Sequence, residues 1–292
     1  MTPLSPLAPF AQTAAAADGE MTAERDEIKY VLPRAHLQRF ALAMSNRLPH
    51  HRFTGHGANP LPRPRHFVTT IYFDTPSRHQ YKEVKRDREA RVKMRAREYY
   101  DLHPSLAELA TDPKQIVRYQ PVLWLELKYK QGDRTGKRRI GLPKKQVQRF
   151  FAEGMVTPEI LEIGRRTYGQ EGEAVLAEIA EHCRRFPEPL AADCMVSYRR
   201  LPWQDPTAQL RVTLDLGIEF YVPPTDLWQR EQALVRESLG PCRGRLFDGI
   251  LELKCRGGLP EWMRELLQSV AAERVRISKF EQASEAIHGR LD

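Results

Sequence analysis

The stretch Arg91-Val92-Lys93-Met94-Arg95-Ala96-Arg97 alternates strictly between basic and apolar side chains. Because residues two apart in a β-strand point to the same face, the stretch predicts a strand with bases on one face and apolar side chains on the other. Such a strand belongs to a sheet whose two faces lie in different surroundings. The fold therefore depends on whether other strands repeat the pattern.

Five further segments also place charged side chains on one face and apolar ones on the other. Their charged positions are Glu27 and Lys29, Glu126 and Lys128, Lys137 and Arg139, Arg211 and Asp215, and Glu252 and Lys254. An antiparallel sheet with its polar face in solvent would explain one such strand, and that interpretation stays open. For six strands we favour charged faces that surround a cationic tunnel, because solvated faces usually mix both charge signs with Ser, Thr and Gln.

Eight segments of the chain have the alternation or β-branched content of strands. They lie at roughly 24–32, 66–73, 90–100, 122–130, 136–142, 193–203, 209–221 and 245–255. Helical patterns lie between them, near 37–48, after Pro143, and at 158–186, 226–239, 260–272 and from Ser278. The sequence therefore predicts an α+β fold, a closed eight-stranded, mostly antiparallel β-barrel with helices packed outside. A barrel of about eight strands holds one small ligand.

The bulk composition limits the class of protein. The 292 residues carry a formal charge of +8, which indicates a polyanionic partner. Residues 1–20 are rich in Ala, Pro and Thr, and we predict a disordered tail there and one domain over 21–292. The four cysteines form no paired motif and the N-terminus lacks a basic signal region, so we predict a cytoplasmic protein with reduced thiols. Specific nucleic-acid binding is disfavoured, because the basic strands are nearly free of aromatic residues.

Several short motifs together resemble a known family. They include Glu27-Ile28-Lys29-Tyr30, Arg95-Ala96-Arg97-Glu98-Tyr99, Leu125-Glu126-Leu127-Lys128, Tyr198-Arg199-Arg200-Leu201-Pro202-Trp203, Leu251-Glu252-Leu253-Lys254 and Ser278-Lys279-Phe280. In this order and spacing they resemble the VTC-type polyphosphate polymerase domain of the CYTH, or triphosphate tunnel metalloenzyme, superfamily. The resemblance runs from about Glu24 to Ile287. It implies a phosphotransferase that moves the γ-phosphoryl group of ATP onto a phosphate chain with the help of Mn²⁺ or Mg²⁺.

The resemblance also implies roles for individual side chains. The bases that would grip the triphosphate and the growing chain are Lys29, Arg95, Arg97, Lys128, Lys137, Arg200, Arg211, Lys254 and Lys279. Further substrate-binding candidates are Lys93, Arg139, Arg199 and Ser278. Arg199 is the alternative to Arg200, and a plain helix cap is the alternative for Ser278 and Lys279. Glu252 would bind the metal, with Glu126 and Glu27 as lesser candidates.

Two other functions stay open at the level of sequence. Hydrolases and cyclases of the superfamily carry Glu-x-Glu-x-Lys on the first strand, but here Arg25 stands where the first Glu would be, before Glu27 and Lys29. This departure argues against a two-metal inorganic or nucleoside triphosphatase without excluding one. A non-catalytic polyphosphate-binding module is the other possibility. The expected partners are ATP, triphosphate and polyphosphate, and a membrane-protein partner that takes the product is left open.

Overall fold

The structure of the protein is a computed structural model that describes residues 26–50, 66–86, 90–100, 122–131, 134–152, 157–230 and 234–290. The strands are β1 (Asp26–Leu32), β2 (His66–Asp74), β3 (Ala90–Tyr100), β4 (Val122–Gln131), β5 (Arg134–Pro143), β6 (Ala191–Gln204), β7 (Leu210–Tyr221), β8 (Gly244–Leu246), β9 (Gly249–Cys255) and β10 (Glu273–Arg274). The helices are α1 (Leu37–Arg47), α2 (His79–Arg86), α3 (Lys144–Ala152), α4 (Pro158–Arg184), α5 (Glu261–Ser269) and α6 (Lys279–His288). The predicted tail at 1–20 lies outside the described residues.

The strands form one antiparallel sheet in the order β10-β1-β9-β7-β6-β2-β3-β4-β5, with β8 paired to β7. The α+β class is confirmed, but the closed barrel is not. Within the described ranges, no ladder of hydrogen bonds joins β5 to the β10–β1 edge. Closure needs a long ladder with the right tilt and stagger between the terminal strands. Here the terminal strand β10 pairs with β1 at only two positions, Tyr30 with Arg274 and Val31 with Glu273.

Two hydrophobic cores cover the apolar face of the sheet. The first joins β3, β4 and β5 to α3 and α4 through side chains such as Leu125, Ile140, Phe150 and Leu176. The second joins β1, β7 and β9 to α1 and α5 through Leu32, Phe40, Met44, Val212, Leu253 and Met263. Burial of the apolar stripes of these four helices stabilises the sheet from outside, as predicted.

The last helix packs on the opposite face, the one that carries the charges. Phe280 of α6 is fully buried, with its ring 5.2 Å from that of Tyr72. The core around it includes Val196 and Ile250, which by strand alternation share their faces with Arg200 and Glu252. The expectation that the helices pack outside is therefore wrong for α6, because its apolar side chains find a partner only on the inner face.

A β-bulge in β7 separates the charged part of its inner face from the apolar part. Gly217 has a φ of 54°, and the pairing of β6 with β7 shifts its register between Ser197 and Arg199. A positive φ is accessible to glycine at little cost. Because the bulge adds one residue, Ile218 follows Asp215 on the inner face, where simple alternation would have turned it outward.

Two helical elements differ from the sequence prediction. The predicted helix at 226–239 is wrong: its described residues form turns and a 3₁₀ helix at Arg236–Ser238. Side chains of the sheet hold this segment, since Glu98 accepts a hydrogen bond from Leu234 N at 2.9 Å and Thr69 donates one to Leu234 O at 2.7 Å. Helix α2 was not predicted. Among the described residues, no helix is long and apolar enough to cross a membrane.

Candidate functional site

Five charged side chains form a group on the inner face that we call the lysine–carboxylate cluster: Glu27, Lys29, Lys128, Glu252 and Lys254. The Glu27 carboxylate lies 3.1 Å from Lys128 Nζ, 3.4 Å from Lys29 Nζ and 3.7 Å from Lys254 Nζ. Lys254 also lies 3.4 Å from Glu252. Since Lys128 is on β4 and the other four are on β1 and β9, the sheet curls until its charged faces meet. The prediction that these side chains point into a shared interior is thereby supported geometrically.

The electrostatics of this cluster is dominated by burial and crowding. Burial and Glu252 both raise the pKa of Glu27, but Lys128, Lys254 and Lys29 outweigh them and lower it to about 2. For Lys128, burial is the largest effect and the neighbouring Lys29 adds to it, so its pKa falls to about 8. The cluster therefore holds an ionised glutamate among lysines of which one loses its proton easily.

A second group on the inner face consists of Arg95, Arg97 and Glu126. Arg95 Nε donates to Glu126 Oε2 at 2.7 Å, and Arg97 Nη1 lies 3.8 Å from the same oxygen. Burial opposes ionisation of Glu126, but the two guanidinium groups hold its pKa well below the usual range. Because both arginines share this carboxylate, Glu126 fixes their orientation toward the interior.

The third group brings α6 to the sheet. Arg200 on β6 makes a bidentate ion pair with Asp215 on β7, at 2.6 and 2.8 Å, and Lys279 Nζ lies 2.7 Å from the same carboxylate. The Tyr198 ring lies under both cations, 5.0 Å from Lys279 Nζ and 5.4 Å from Arg200 Cζ. The N-terminus of α6 thus places Lys279 beside the cations of the strands.

The remaining predicted substrate-binding residues divide between the two faces. Lys93 Nζ donates to Ser278 Oγ at 2.7 Å and lies 3.3 Å from Glu281, so it is engaged with the start of α6. Arg211 is opposite Lys254 in the β7–β9 ladder. Arg199 shares its face of β6 with Leu201 and Trp203, which pack in the outer core, and so lies away from the other candidates. Arg200, and not Arg199, joins the site.

Lys137 and Arg139 lie on the inner face of β5, next to the arginine group. Arg139 is opposite Glu126 and Lys137 is opposite Lys128 in the β4–β5 ladder. Burial raises the pKa of Tyr99, but Arg97, Arg139 and Lys137 outweigh it and lower that pKa. Four aromatic residues on this face were not predicted from the sequence as site residues: Tyr72, Tyr99, Trp124 and Tyr198. The same alternation that selected Glu126 and Lys128 would have found Trp124.

Several buried polar atoms on the inner face have no hydrogen-bond partner within the described part of the chain. They include Thr70 Oγ1, Arg97 Nε, Tyr198 Oη and Thr213 Oγ1. Buried polar atoms are nearly always hydrogen-bonded in folded proteins. Their positions, among cations contributed by β3, β6 and β7, mark places where the oxygen atoms of a polyanion could bind.

Comparison with known proteins identifies the family of this chain. The family model described as VTC domain matches residues 24–288. The chain belongs to the VTC domain family. No curated protein matches it. Among solved structures, the VTC chain is similar to a putative adenylate cyclase from Bacillus halodurans, with 12% identity over 87% of this chain and 95% of that one and a TM-score of 0.42. The PH1819 protein from Pyrococcus horikoshii OT3 has 13% identity over 89% and 95%, and a TM-score of 0.40.

The carboxylates of this VTC domain fit a divalent cation only in part. Across the described residues, no group of three or more His, Cys, Asp or Glu side chains could hold a metal. Glu27 and Glu252, however, influence each other's ionisation and stay charged. Mg²⁺ is commonly held by one or two carboxylates with substrate phosphates as further ligands, so this pair fits such an ion. Of the two, Glu252 fits better, since it lies 3.4 Å from Lys254, whereas three lysines contact Glu27. Glu126 fits less well than Glu252, because Arg95 and Arg97 occupy it.

Proposed function

We propose that this VTC domain is a polyphosphate polymerase-like phosphotransferase that moves the γ-phosphoryl group of ATP onto the end of a phosphate chain. The observation that carries the proposal is the convergence of cations from β1, β3, β4, β6 and β9, and from α6, on one interior. Such a set of cations repels itself when empty and is stabilised by a polyanion. A single triphosphate with an acceptor chain would supply charge along the whole interior.

In this mechanism the protein positions its substrates and neutralises their charge. A terminal oxygen of the acceptor chain attacks the γ-phosphorus, the bond from that phosphorus to the β–γ bridging oxygen breaks, and ADP leaves. Arg95 and Arg97, oriented by Glu126, would bind phosphate oxygens through several N–H groups, and the lysines would act as point charges. Glu252 and Glu27 would hold a divalent cation, which supplies further charge neutralisation when bound. No protein nucleophile takes part.

Two alternatives differ from this proposal only in the fate of the phosphoryl group. In a triphosphatase, water replaces the acceptor chain and inorganic phosphate is released. In a binding module, polyphosphate is bound and nothing is transferred. The departure at Arg25 from the acidic first-strand motif of the hydrolases favours transfer to phosphate over hydrolysis.

The deciding experiment incubates the purified protein with ATP and Mn²⁺ and follows three readouts in parallel: chain growth on a gel, phosphate release and polyphosphate binding. We expect chains to form together with ADP. Phosphate release without chains would favour the triphosphatase, and binding alone would favour the module.

A matched pair of variants controls this assay. Arg139 lies on the inner face of β5, whereas its neighbour Arg138 points outward and lies 3.2 Å from Glu178 of α4. Arg139→Ala should reduce chain growth at least about tenfold, as the loss of a charged contact to the substrate implies. Arg138→Ala should leave it within about twofold.

A further inference from the structure

The inner face contains one tryptophan, Trp124, at a position that phosphate binding does not explain. Trp124 lies on β4 two residues before Glu126, is 7% exposed, and is opposite Arg97 in the β3–β4 ladder. The guanidinium of Arg139 lies over its ring, 4.7 Å from the centroid. An indole offers one N–H donor and a large aromatic surface, which suits a flat ring far better than a phosphate.

The inner face is also divided along β4. Lys128 and the rest of the lysine–carboxylate cluster lie toward one end, while Trp124 and the neighbouring Tyr99 lie toward the other. Trp124 and Lys128 are four positions apart along the strand, or about 13 Å. This distance is comparable to the extended length of a nucleoside triphosphate, with its base at one end and its γ-phosphate at the other.

We propose that Trp124 and Arg139 bind the nucleobase of ATP, so that the triphosphate lies along β4 with its γ-phosphate toward the lysine–carboxylate cluster. The inference rests on the proposed function and adds to it the direction of the nucleotide. An aromatic ring and an arginine together form the stacking surface that proteins use for bases without reading their sequence. The site therefore accepts a base in general, and adenine is favoured over pyrimidines only by its larger stacking area.

The molecule provides its own control for an arginine stacked on a tryptophan. Arg47 lies over the ring of Trp262 at 5.2 Å, but this pair belongs to α1 and α5 on the outer side of the sheet. Substitution of Trp262 removes the same kind of contact far from the cations. A loss of nucleotide binding that is specific to Trp124 therefore reports on a base at the inner face.

The experiment measures the dissociation constants of ATP, CTP and inorganic tripolyphosphate by calorimetry for the wild type and for Trp124→Ala, Trp124→Phe and Trp262→Ala. We expect Trp124→Ala to weaken ATP binding at least about fivefold, the lower end of what one base stack contributes. Tripolyphosphate should stay within about twofold. Trp124→Phe, which keeps an aromatic surface, should retain most of the ATP affinity, and Trp262→Ala should resemble the wild type.

Each other outcome overturns the inference in a distinct way. If Trp124→Ala weakens ATP and tripolyphosphate equally, Trp124 supports the wall of the site and binds no base. If ATP binding is unchanged, the base lies elsewhere. The experiment measures binding, so it locates the base even if the protein makes no polyphosphate. If the wild type binds ATP but forms no chains, the polymerase proposal is refuted and the position of the base is still determined. Wild-type protein that binds none of the three ligands refutes both proposals.

Discussion

Lys128 Nζ lies 3.1 Å from Glu27 Oε1, although five strands separate β4 from β1 in the sheet. This contact shows that the sheet curls far enough for its charged faces to meet, although the described strands contain no closing ladder. The ion pair therefore contributes both to the fold and to the site, and the variants below separate the two contributions.

Replacing Glu27 with Gln should destabilise the protein, because Lys29, Lys128 and Lys254 would face one another without a carboxylate. With a pKa lowered to about 2, ionised Glu27 contributes stability above its ordinary pKa of 4.5, and this contribution is lost as the pH falls through 2. We expect a loss of roughly 3 kcal/mol at pH 7, since each unit by which a pKa is lowered corresponds to about 1.4 kcal/mol. Urea denaturation at pH 7 and at pH 3 measures it, and the difference from wild type should shrink at the lower pH.

The control for Glu27 is Glu159→Gln, which breaks an exposed ion pair with Arg149 on the outer surface. Exposed pairs contribute little, so this variant should lie within about 0.5 kcal/mol of the wild type. Equal effects of the two substitutions would show that Glu27 is solvated rather than enclosed.

Glu252 and Glu126 should differ in their effect on the metal requirement when each is replaced with Gln. Glu252→Gln should raise the Mn²⁺ concentration needed for ATP-dependent activity at least about tenfold, since one of two carboxylate ligands is lost. It should also lower the free energy of unfolding at pH 7: burial opposes ionisation of Glu252, but Lys254, Lys128, Lys29 and Arg200 hold its pKa well below its ordinary value. Glu126→Gln should lower the unfolding free energy by about 3 kcal/mol, because Arg95 and Arg97 lose their buried partner. Metal titration and urea denaturation of both variants test this; the reverse pattern would make Glu126 the metal ligand.

Binding of tripolyphosphate should weaken as the pH rises above about 8. The pKa of Lys128 is lowered to about 8, so the free protein loses this proton where an ordinary lysine keeps it up to 10.5. A bound anion favours the charged form, and binding at pH 8.5 should take up a fraction of a proton. Calorimetry in buffers with different ionisation enthalpies measures that uptake.

Lys128→Arg isolates this effect from the titration of the ligand itself, since arginine keeps its charge at pH 8.5. The variant should take up fewer protons than the wild type and should hold its affinity between pH 7.5 and 9. Identical uptake by both proteins would assign the titration to another group.

Ligands should stabilise the protein in order of the number of cations they reach. Tripolyphosphate at a hundredfold excess over its dissociation constant should add about 2.7 kcal/mol of stability, and monophosphate at the same concentration much less. Duplex DNA should compete poorly, because it is too wide to enter a curled sheet. Arg97→Ala should weaken the response to tripolyphosphate, whereas equal stabilisation by DNA would place the binding cations on an open surface. A thermal-shift series measures the stabilisation by tripolyphosphate, monophosphate and DNA, and the effect of Arg97→Ala on the response to tripolyphosphate.

Alternation in the sequence was sufficient to predict which side chains share a face. Lys128 and Arg97 were assigned to the charged face from strand period alone, and the structure places them there. Arg200 was preferred to Arg199 only through the family resemblance, because the strand period near Tyr198 left both open, and it is Arg200 that pairs with Asp215 on the inner face. The two-residue period of a strand depends only on residues that are adjacent in sequence, so it can be recognised without knowledge of the fold. Closure is not local: it depends on twist and on the length of β10, neither of which leaves a pattern in the sequence.

The errors in helix prediction have a related cause. In the segment 226–239, Leu227, Leu234 and Leu239 are buried one by one in the outer core, and Glu98 and Thr69 hold the backbone of Leu234 in a non-helical conformation. The segment has the amphipathic composition of a helix, but tertiary hydrogen bonds decide the outcome. The short helix α2 is likewise fixed by Asp74, whose carboxylate accepts hydrogen bonds from the backbone N–H groups of Gln80 and Tyr81.

A contact between two side chains opens more easily than a ladder of backbone hydrogen bonds. Across the described parts of β1 and β4, the two sides of the curled sheet meet through the side chains of Glu27 and Lys128. Such a seam can part without unfolding a strand. A long polymer would then enter sideways along its length, with no need to thread an end, so that a phosphate chain blocked at both ends would still reach the cations.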